Sequence, residues 1–576
     1  MVKVLGIELP KSYRRRVTDD YPVVGIDTES LVTGYAFVVC DSDGRHVWIR
    51  SFEDVLDFFN HDDYAHCLLV AYNLNFDASV MLKWAGKAVC TELIDKNHVS
   101  LPNCVIQYIP SKYLQFRFGN NYIRIFDVAQ FFQGSLNYNA QTYLGSSKID
   151  VGSKEFFSED YGRQDILNYC TYDAFLTKGL GEYVVNAFDK VGVRVTSLAS
   201  PASVVESYML DQLLLLNHVR CVPRKALEFA IRSFSGAWFE NFKAGYFPVT
   251  YRYDLVSAYP SVIRDLVDLR LGYWVEGTKP PKNALYGYVR AEVMVPQTYI
   301  SPVVFRNALD EPLRPHGSWT TYMTMQELLW AREHGVRVKV YDGVWFIPEG
   351  EKYLFRSVID KFFEIKRDHK SGSMESWSAK IALTGVYGKF LQHRNQVGGR
   401  LYNPIYATEI TSRVRLQMAD AALSKPDAMI GIMSDCVVSQ EPLDLPIGRE
   451  MGMWSRKGPD GSLWIGPAQY ETEGLDHRFR KIPWKSLLEK NKFVSEYKIV
   501  RKGPLTLAQG IRHDRFEDVG VFLNHPMTFD IRKLNWRRFW PQRPTCGGDL
   551  LCSQYDSKQL HISSRLREED MELWAL

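Results

Sequence analysis

Residues 251–264 read Tyr-Arg-Tyr-Asp254-Leu-Val-Ser257-Ala-Tyr259-Pro260-Ser261-Val-Ile-Arg264, and that order leaves the backbone little choice. The aromatic residues before Asp254 favour a strand, and Pro260 is tolerated in the first turn of a helix. The stretch 249–265 therefore predicts a strand, a turn and a helix start. Asp254 falls at the strand's end, where the sheet can fix its rotamer. A second apolar run, Met429-Ile-Gly-Ile-Met433, leads to Asp435 and then Val437-Val438. This pattern predicts a hairpin whose first strand lies beside that of Asp254, with both carboxylates at one edge.

Alternation of strand and helix patterns along the chain predicts an α/β multidomain fold, and 576 residues exceed what one core can organise. Val23-Val-Gly-Ile-Asp27 and Tyr35-Ala-Phe-Val-Val-Cys40 read as neighbouring strands, Tyr122-Ile-Arg-Ile-Phe-Asp127 as another, and 165–183 as a helix. A helical connector follows over 204–216. The block 267–350 is mixed, with strands over 285–295 and 336–346 around a helix over 323–333. An amphipathic helix then puts Leu354, Phe355, Val358, Ile359, Phe362 and Phe363 on one stripe and leaves Lys361 and Lys366 off it.

The composition is that of an ordinary soluble globular protein. No apolar run is long enough to span a membrane, and residues 1–21 are too charged for a signal peptide, so a cytoplasmic location is expected. The nine cysteines form no paired C-x-x-C knuckles and read as reduced thiols. A net charge of +3 averages over two basic stretches, 361–400 and 478–543, the latter holding Arg537-Arg538 beside Phe539 and Trp540. Basic residues interleaved with aromatics suit a phosphate backbone and stacked bases.

Carboxylates that converge on two cations roughly 3.5–4 Å apart can activate a hydroxyl and stabilise a leaving oxygen. Magnesium, two ions per site, is the expected cofactor, with manganese as the alternative. On a helix predicted from Ser378, Lys380, Thr384 and Tyr387 follow at i, i+4 and i+7 and share a face that could hold a phosphate and contact a base pair.

These segments resemble the family B DNA polymerases, whose first two motifs are D-x-x-S-L-Y-P-S and K-x-x-x-N-S-x-Y-G. Asp254, Ser257, Tyr259, Pro260 and Ser261 match the first, and Lys380, Tyr387 and Gly388 the second. The resemblance implies that Asp254 and Asp435 bind metals and that Lys380 contacts the incoming triphosphate, with Lys366 and Ser257 among the nucleotide contacts. Tyr259 would pack beneath the sugar and Tyr387 would test the nascent base pair. The chain departs from the pattern at Ala258, Thr384 and Gly385. The third motif, usually Y-x-D-T-D-S, reads Gly431-Ile-Met-Ser-Asp435-Cys, so Met433 stands where an aspartate is usual. Altered metal affinity or fidelity is the expected consequence.

Upstream, Asp27-Thr-Glu29, Asn73-Leu-Asn-Phe-Asp77 and Tyr169-Cys-Thr-Tyr-Asp173 resemble, in that order, the 3′–5′ exonuclease motifs of the same family. By that resemblance Asp27, Glu29, Asp77 and Asp173 hold two metals and Tyr169 orients the attacking water. Asn73 and Phe76 would grip a frayed primer end. Tyr169 and Asp173, four apart on a predicted helix, face the same way. Ser135-Leu136 and Lys148-Ile-Asp-Val151 match two lesser motifs of the protein-primed branch, which bind single strands and assist catalysis.

Further features resemble that branch, the compact replicases of linear phage and plasmid genomes that start on a terminal-protein hydroxyl. The first nuclease motif lies near the N-terminus, without the long leading domain of larger replicases. Phe234-Ser-Gly236-Ala237 is similar to its Y-x-G-G/A linker, which couples synthesis and editing. Thr411-Ser-Arg-Val-Arg415 is similar to a T-x-x-G/A-R primer-template motif, and Lys361 lies in the finger segment expected to touch DNA. Of its K-x-Y primer-binding motif Tyr470 is present, but Ala468 occupies the lysine position. A second insertion usual in the branch is reduced to a short Gly-containing turn over 391–402, so weaker strand displacement is expected.

The implied division is an RNase H-like exonuclease domain (1–190), followed by a right-hand polymerase. The latter comprises a connector and first part of the palm (191–266), a terminal-protein-type insertion (267–350), fingers (351–390), palm (391–525) and a thumb-like region (526–576). Implied partners are primer-template DNA, deoxynucleoside triphosphates, a terminal protein and a single-stranded-DNA-binding protein, acting on a monomer in the cytoplasm, the host's if the protein is viral. Rival readings are a DNA-primed or primer-independent polymerase of the same family, and a degenerate polymerase kept as a scaffold.

Overall fold

A computed structural model describes residues 3–9, 21–150, 163–213, 218–298, 300–350, 352–394, 396–473, 482–534 and 537–562. Val151 of the lysine motif, part of the second basic stretch and the last residues lie outside them.

The first domain is organised by an eight-stranded mixed sheet. Its strand Val23–Ser30 runs antiparallel to Ala36–Asp41 and parallel to Leu68–Ala71, which in turn is parallel to Asn121–Asp127. The 27-residue helix Gln164–Lys190 crosses this sheet. Gly25 makes the crossing close, because a Cβ there would stand 1.8 Å from the carbonyl oxygen of Ala174. A side chain at that position would push the helix, and Asp173 with it, away from Asp27 and Glu29.

The second sheet is antiparallel, with Lys243–Leu255 between Cys436–Ser439 and Trp454–Gly466. The predicted neighbour of the Asp254 strand is corrected here by one position. The hairpin turn at Ser434 and Asp435 folds the chain back. The returning strand, buried through Val437 and Val438, pairs Cys436 with Asp254. Met429–Met433 is one strand further out, paired on its far side with Phe239–Asn241. Helix Ala258–Arg264 follows the Asp254 strand as expected, with Ser257 at φ 51° opening it.

The block 267–350 folds as a sheet of Gly272–Glu276, Arg337–Pro348, Tyr286–Val295 and His316–Thr324, with His561–Ile562 added at its edge. Thr324 and Glu327 form a reciprocal capping box that starts helix Met325–Glu333. This block does not have a core of its own. Its apolar face continues into the core around helix Pro404–Leu423, and the Tyr288 hydroxyl donates to Glu409 at 3.0 Å.

Two helices, Arg356–Asp368 and Met374–Gly385, pack together after it. The second starts four residues earlier than predicted, capped by Ser373, and ends at Gly385, a poor helix former. Tyr387 therefore lies beyond it on the 3₁₀ turn Tyr387–Leu391, so the helix expected to carry Lys380, Thr384 and Tyr387 carries only the first two. The shortened 391–402 segment is a small hairpin, His393–Arg394 with Val397–Gly398, extended by pairing of Val397 with Glu8.

A long hairpin, Glu496–Pro504 with Phe522–Asp530, closes the molecule. The expected boundary at 525/526 cuts its second strand, because the cross-strand pairing makes the two strands one unit. At its tip Leu507, Phe516 and Val519 enter the core of the first domain, each buried side chain contributing about 1.5–3 kcal/mol. There the Lys83 ammonium donates to the carbonyls of Thr33, Glu517 and Val519 at 2.7, 2.7 and 2.9 Å. Among the described residues no helix is long and apolar enough to cross a membrane.

Candidate active sites

Two acidic sites emerge. In the first domain the strand Val23–Ser30 presents Asp27 and Glu29, and the crossing helix presents Asp173. Ligand oxygens of these three lie within 4.8 Å of one another, the one such group of three or more among the described residues. Asp77, the fourth expected member, is buried nearby but accepts a hydrogen bond from the Thr28 hydroxyl at 2.7 Å. Burial, then the charges of Asp77, Glu29 and Asp173, push the Asp27 carboxyl well above the usual range. Burial lifts Asp77 to about 7 against the opposing Thr28 hydrogen bond.

Lys148 forms an ion pair with Asp173, and its ammonium lies 5.0 Å from the centroid of the Tyr169 ring. Burial alone would lower this lysine, but the charge and hydrogen bond of Asp173, with Tyr169, outweigh it and hold it protonated. Tyr169 itself is pushed up to about 12 by burial, so it enters the site as a phenol. Asn73 opens helix Leu74–Leu82 in the left-handed region, its N–H donating to Asp127 at 3.0 Å. Phe76 lies 5.9 Å from Phe522 of the long hairpin, ring to ring.

In the second sheet Asp254 and Asp435 sit at adjoining strand ends, tied by the Leu255 N–H donating to the Asp435 carbonyl at 2.9 Å. Burial raises the Asp435 carboxyl, and the charge of Asp254 adds to that. The position of the missing aspartate, Met433, pairs with Cys436 and, like Tyr470, packs against the buried apolar cluster that includes Trp464. The rings of Tyr259 and Tyr387 stack at 4.5 Å, 9° from parallel, and the Tyr259 hydroxyl is 3.0 Å from that of Ser434. Lys366 donates to the Ser257 hydroxyl at 3.1 Å. Its ammonium is lowered first by burial and then by the charge of Lys380 on the adjoining helix, so the two lysines face one region.

The expected DNA contacts divide. Ser135 is exposed and caps Leu136–Asn139, whereas Leu136 is buried against Leu176 and Leu180 as core. Phe234, Gly236 and Ala237 are half-buried in an extended segment. Thr411 and Arg415 are each only 1% exposed, and neither reaches the surface. Arg415 instead donates to the carbonyls of Ser235 and Gly236 and pairs with Glu327, because burial of a guanidinium demands such partners. Arg306 likewise donates to the Phe234 carbonyl. Lys361 points to the connector helix, 3.1 Å from the Tyr208 hydroxyl, and Tyr470 stacks on Trp464 at 4.6 Å.

Residues that sequence reasoning missed are Thr28, Ser434 and Lys457, whose ammonium lies 2.9 Å from an Asp254 oxygen. Thr28 sits inside the D-x-E it serves, so the motif itself was the available signal. Lys457 had none, because its pairing depends on strand register.

An acidic site in a mixed α/β domain, followed by an antiparallel sheet with a carboxylate pair and a lysine-bearing helical pair, defines the class, and residues 162–397 match the family of DNA polymerases type B, organellar and viral. The architecture is that of Phi29 DNA polymerase. Its orthorhombic crystal form superposes with a TM-score of 0.60 at 12% identity, covering 89% of this chain and all of the other. The ternary complex with primer-template DNA and incoming nucleotide substrates gives 0.61 at 14% identity, over 89% of this chain and 100% of that one. An Agaricus bitorquis protein described as "Probable DNA polymerase" is 24% identical over 266 residues, 44% of this chain and 32% of that protein, so the chain spans about a third of that relative. The fold expected from sequence, a nuclease-type domain ahead of a right hand, is thus the fold observed.

Proposed function

We propose that the chain is a DNA-directed DNA polymerase with a 3′–5′ proofreading exonuclease. The observation that carries this reading is the presence of a three-carboxylate group in the first domain and of the adjoining Asp254 and Asp435 in the second sheet, in one fold of the Phi29 polymerase type. The donors are all carboxylate oxygens, which suit hard divalent cations such as magnesium. Such ions, when bound, would supply the Lewis acidity for nucleotidyl transfer at Asp254 and Asp435 and for hydrolysis at Asp27, Glu29 and Asp173.

The chain's own side chains do the rest. Lys366 and Lys380 offer two ammonium groups to a triphosphate, which offset its charge at the entry between the two helices. The stacked Tyr259 and Tyr387 form a flat wall that fits a sugar and a base pair and excludes bulk at the 2′ position. In the other site Lys148 holds Asp173, and the protonated Tyr169 phenol can donate to a water or to a phosphate oxygen.

Primer-template DNA and deoxynucleoside triphosphates are the substrates of this reading, and initiation on a terminal-protein hydroxyl is its finer form. Resemblance to the protein-primed branch supports it. The test is incubation with a candidate terminal protein, template and one labelled nucleotide, beside extension of an ordinary DNA primer. A covalent protein–nucleotide adduct is expected. Extension of DNA primers alone would leave a DNA-primed polymerase, and no extension of either would leave the scaffold reading that Met433 favours.

A further inference from the structure

Lys457 stands beside the polymerase carboxylates although no motif names it. On the strand Trp454–Gly466, Ser455 lies opposite Asp254 and Lys457 opposite Arg252. Residues two apart on a strand share a face, so Arg252, Asp254, Ser455 and Lys457 face the same side of the sheet. Cys436 joins them as the other direct partner of Asp254. Two cations therefore flank Asp254, and only one is committed elsewhere, since Arg252 pairs with Asp460 at 2.8 Å. The Lys457 ammonium lies 2.9 Å from Asp254, with side chains 52% and 36% exposed respectively. A pair that open to water contributes little to folding. Its cation can turn to another anion at small cost.

The neighbouring strand Gln469–Thr472 carries Tyr470, but position 468, where the matching pattern has a lysine, is alanine. We infer that Lys457, at the Asp254 end of its strand, provides a primer-binding cation at a different place from position 468, which lies by Gly466 at the strand's other end. It is the primer-end phosphate contact of this site, resting on Asp254 when no DNA is bound and turning to the last phosphodiester of the primer when it is. This rests on the polymerase reading of Asp254 and assigns the site a further binding residue. Chemistry supports the exchange. Once Asp254 holds a divalent cation its carboxylate attracts the ammonium less, while a primer terminus brings a phosphate charge to the same edge of the sheet.

The contact can be measured by binding alone, in calcium and without nucleotide. Wild type, Lys457→Met and Lys457→Arg are titrated with a primer-template duplex over a series of salt concentrations. A second duplex carries a neutral methylphosphonate at the last primer linkage. Lys457→Met is expected to weaken binding by roughly five- to tenfold at 0.1 M salt and to lower the salt slope by about one, with Lys457→Arg close to wild type. The neutral linkage should cost wild type the same and Lys457→Met nothing more. Unchanged affinity and slope in Lys457→Met, or losses that simply add when the neutral linkage is combined with it, would overturn the proposal. Primer extension by wild type is run separately. Its failure with the binding cycle intact would sink the polymerase reading and leave the contact standing.

Discussion

Asp27, Glu29 and Asp173 bring their oxygens within 4.8 Å of one another in the first domain, with Asp77 buried beside them. Asp254 and Asp435, by contrast, meet at an open sheet edge, with a lysine against one of them and Met433 where another carboxylate would stand. The difference is one of how repulsion is handled. The first-domain cluster gathers more negative charge than Lys148 can offset and holds the imbalance as raised carboxyl groups. At the second pair Asp254 is open to solvent and offset by Lys457, and only Asp435 is raised, by burial and by the charge of Asp254.

The sharpest break of the comparison comes from removing one carboxylate from each site. Asp254→Ala is expected to lower primer extension by at least about 10³-fold while single-strand digestion persists, and Asp27→Ala to do the reverse, as loss of a metal-binding charge implies. Both are read on one labelled primer, with and without nucleotides. Joint loss of the two activities in either variant would mean that the sites are not separate.

Much of this was legible because short-range rules set it. The strand ending at Asp254, the helix after Pro260 and the carboxylates of Asp27-Thr-Glu29 follow from local pattern, and the structure agrees. Failures came where burial or register decides. Arg415 and Leu136 read as surface contacts because their motifs carried that expectation, yet each sits inside a core and Arg415 is tied to Ser235 and Glu327. The hairpin at Ser434 placed its second strand, not its first, beside Asp254, a choice that pairing of buried Val437 and Val438 makes and periodicity does not. Lys457 reaches Asp254 across some 200 residues of sequence, where no local rule operates.

The stability of the two regions should also part with pH. A carboxyl whose folded value is raised binds its proton more tightly in the folded state, so stability is present below the unfolded value and is lost as pH rises through the folded one. For Asp77, from 3.8 to about 7, that window runs from near pH 4 to near pH 7, and Asp27 moves in the same direction. Without divalent cations, unfolding of the first domain is expected about 5 °C or more lower at pH 7.5 than at pH 5, and magnesium or manganese should restore most of the loss. Asp27→Asn should remove the share that Asp27 contributes and leave the share of Asp77, whose rise comes first from burial. Unfolding temperatures that rise with pH in the metal-free protein would contradict the cluster's assigned charge state.

Met433→Asp probes the other side with a smaller effect. Position 433 pairs directly with Cys436, which in turn pairs with Asp254, so an aspartate there would stand two strands from Asp254, about 10 Å across the sheet. At that distance it would not join Asp254 on one cation and would act through space. An extra charge at about 10 Å under an effective dielectric of about 20 contributes on the order of 1–2 kcal/mol, or about tenfold in cation affinity. The new carboxylate would also pack against the buried apolar cluster that includes Trp464, which opposes the gain. The magnesium concentration for half-maximal extension should therefore fall by no more than about tenfold, with the requirement of the nuclease unchanged. A fall of a hundredfold would mean that residue 433 binds the cation directly, and that the wild-type site lacks a ligand and not merely a nearby charge.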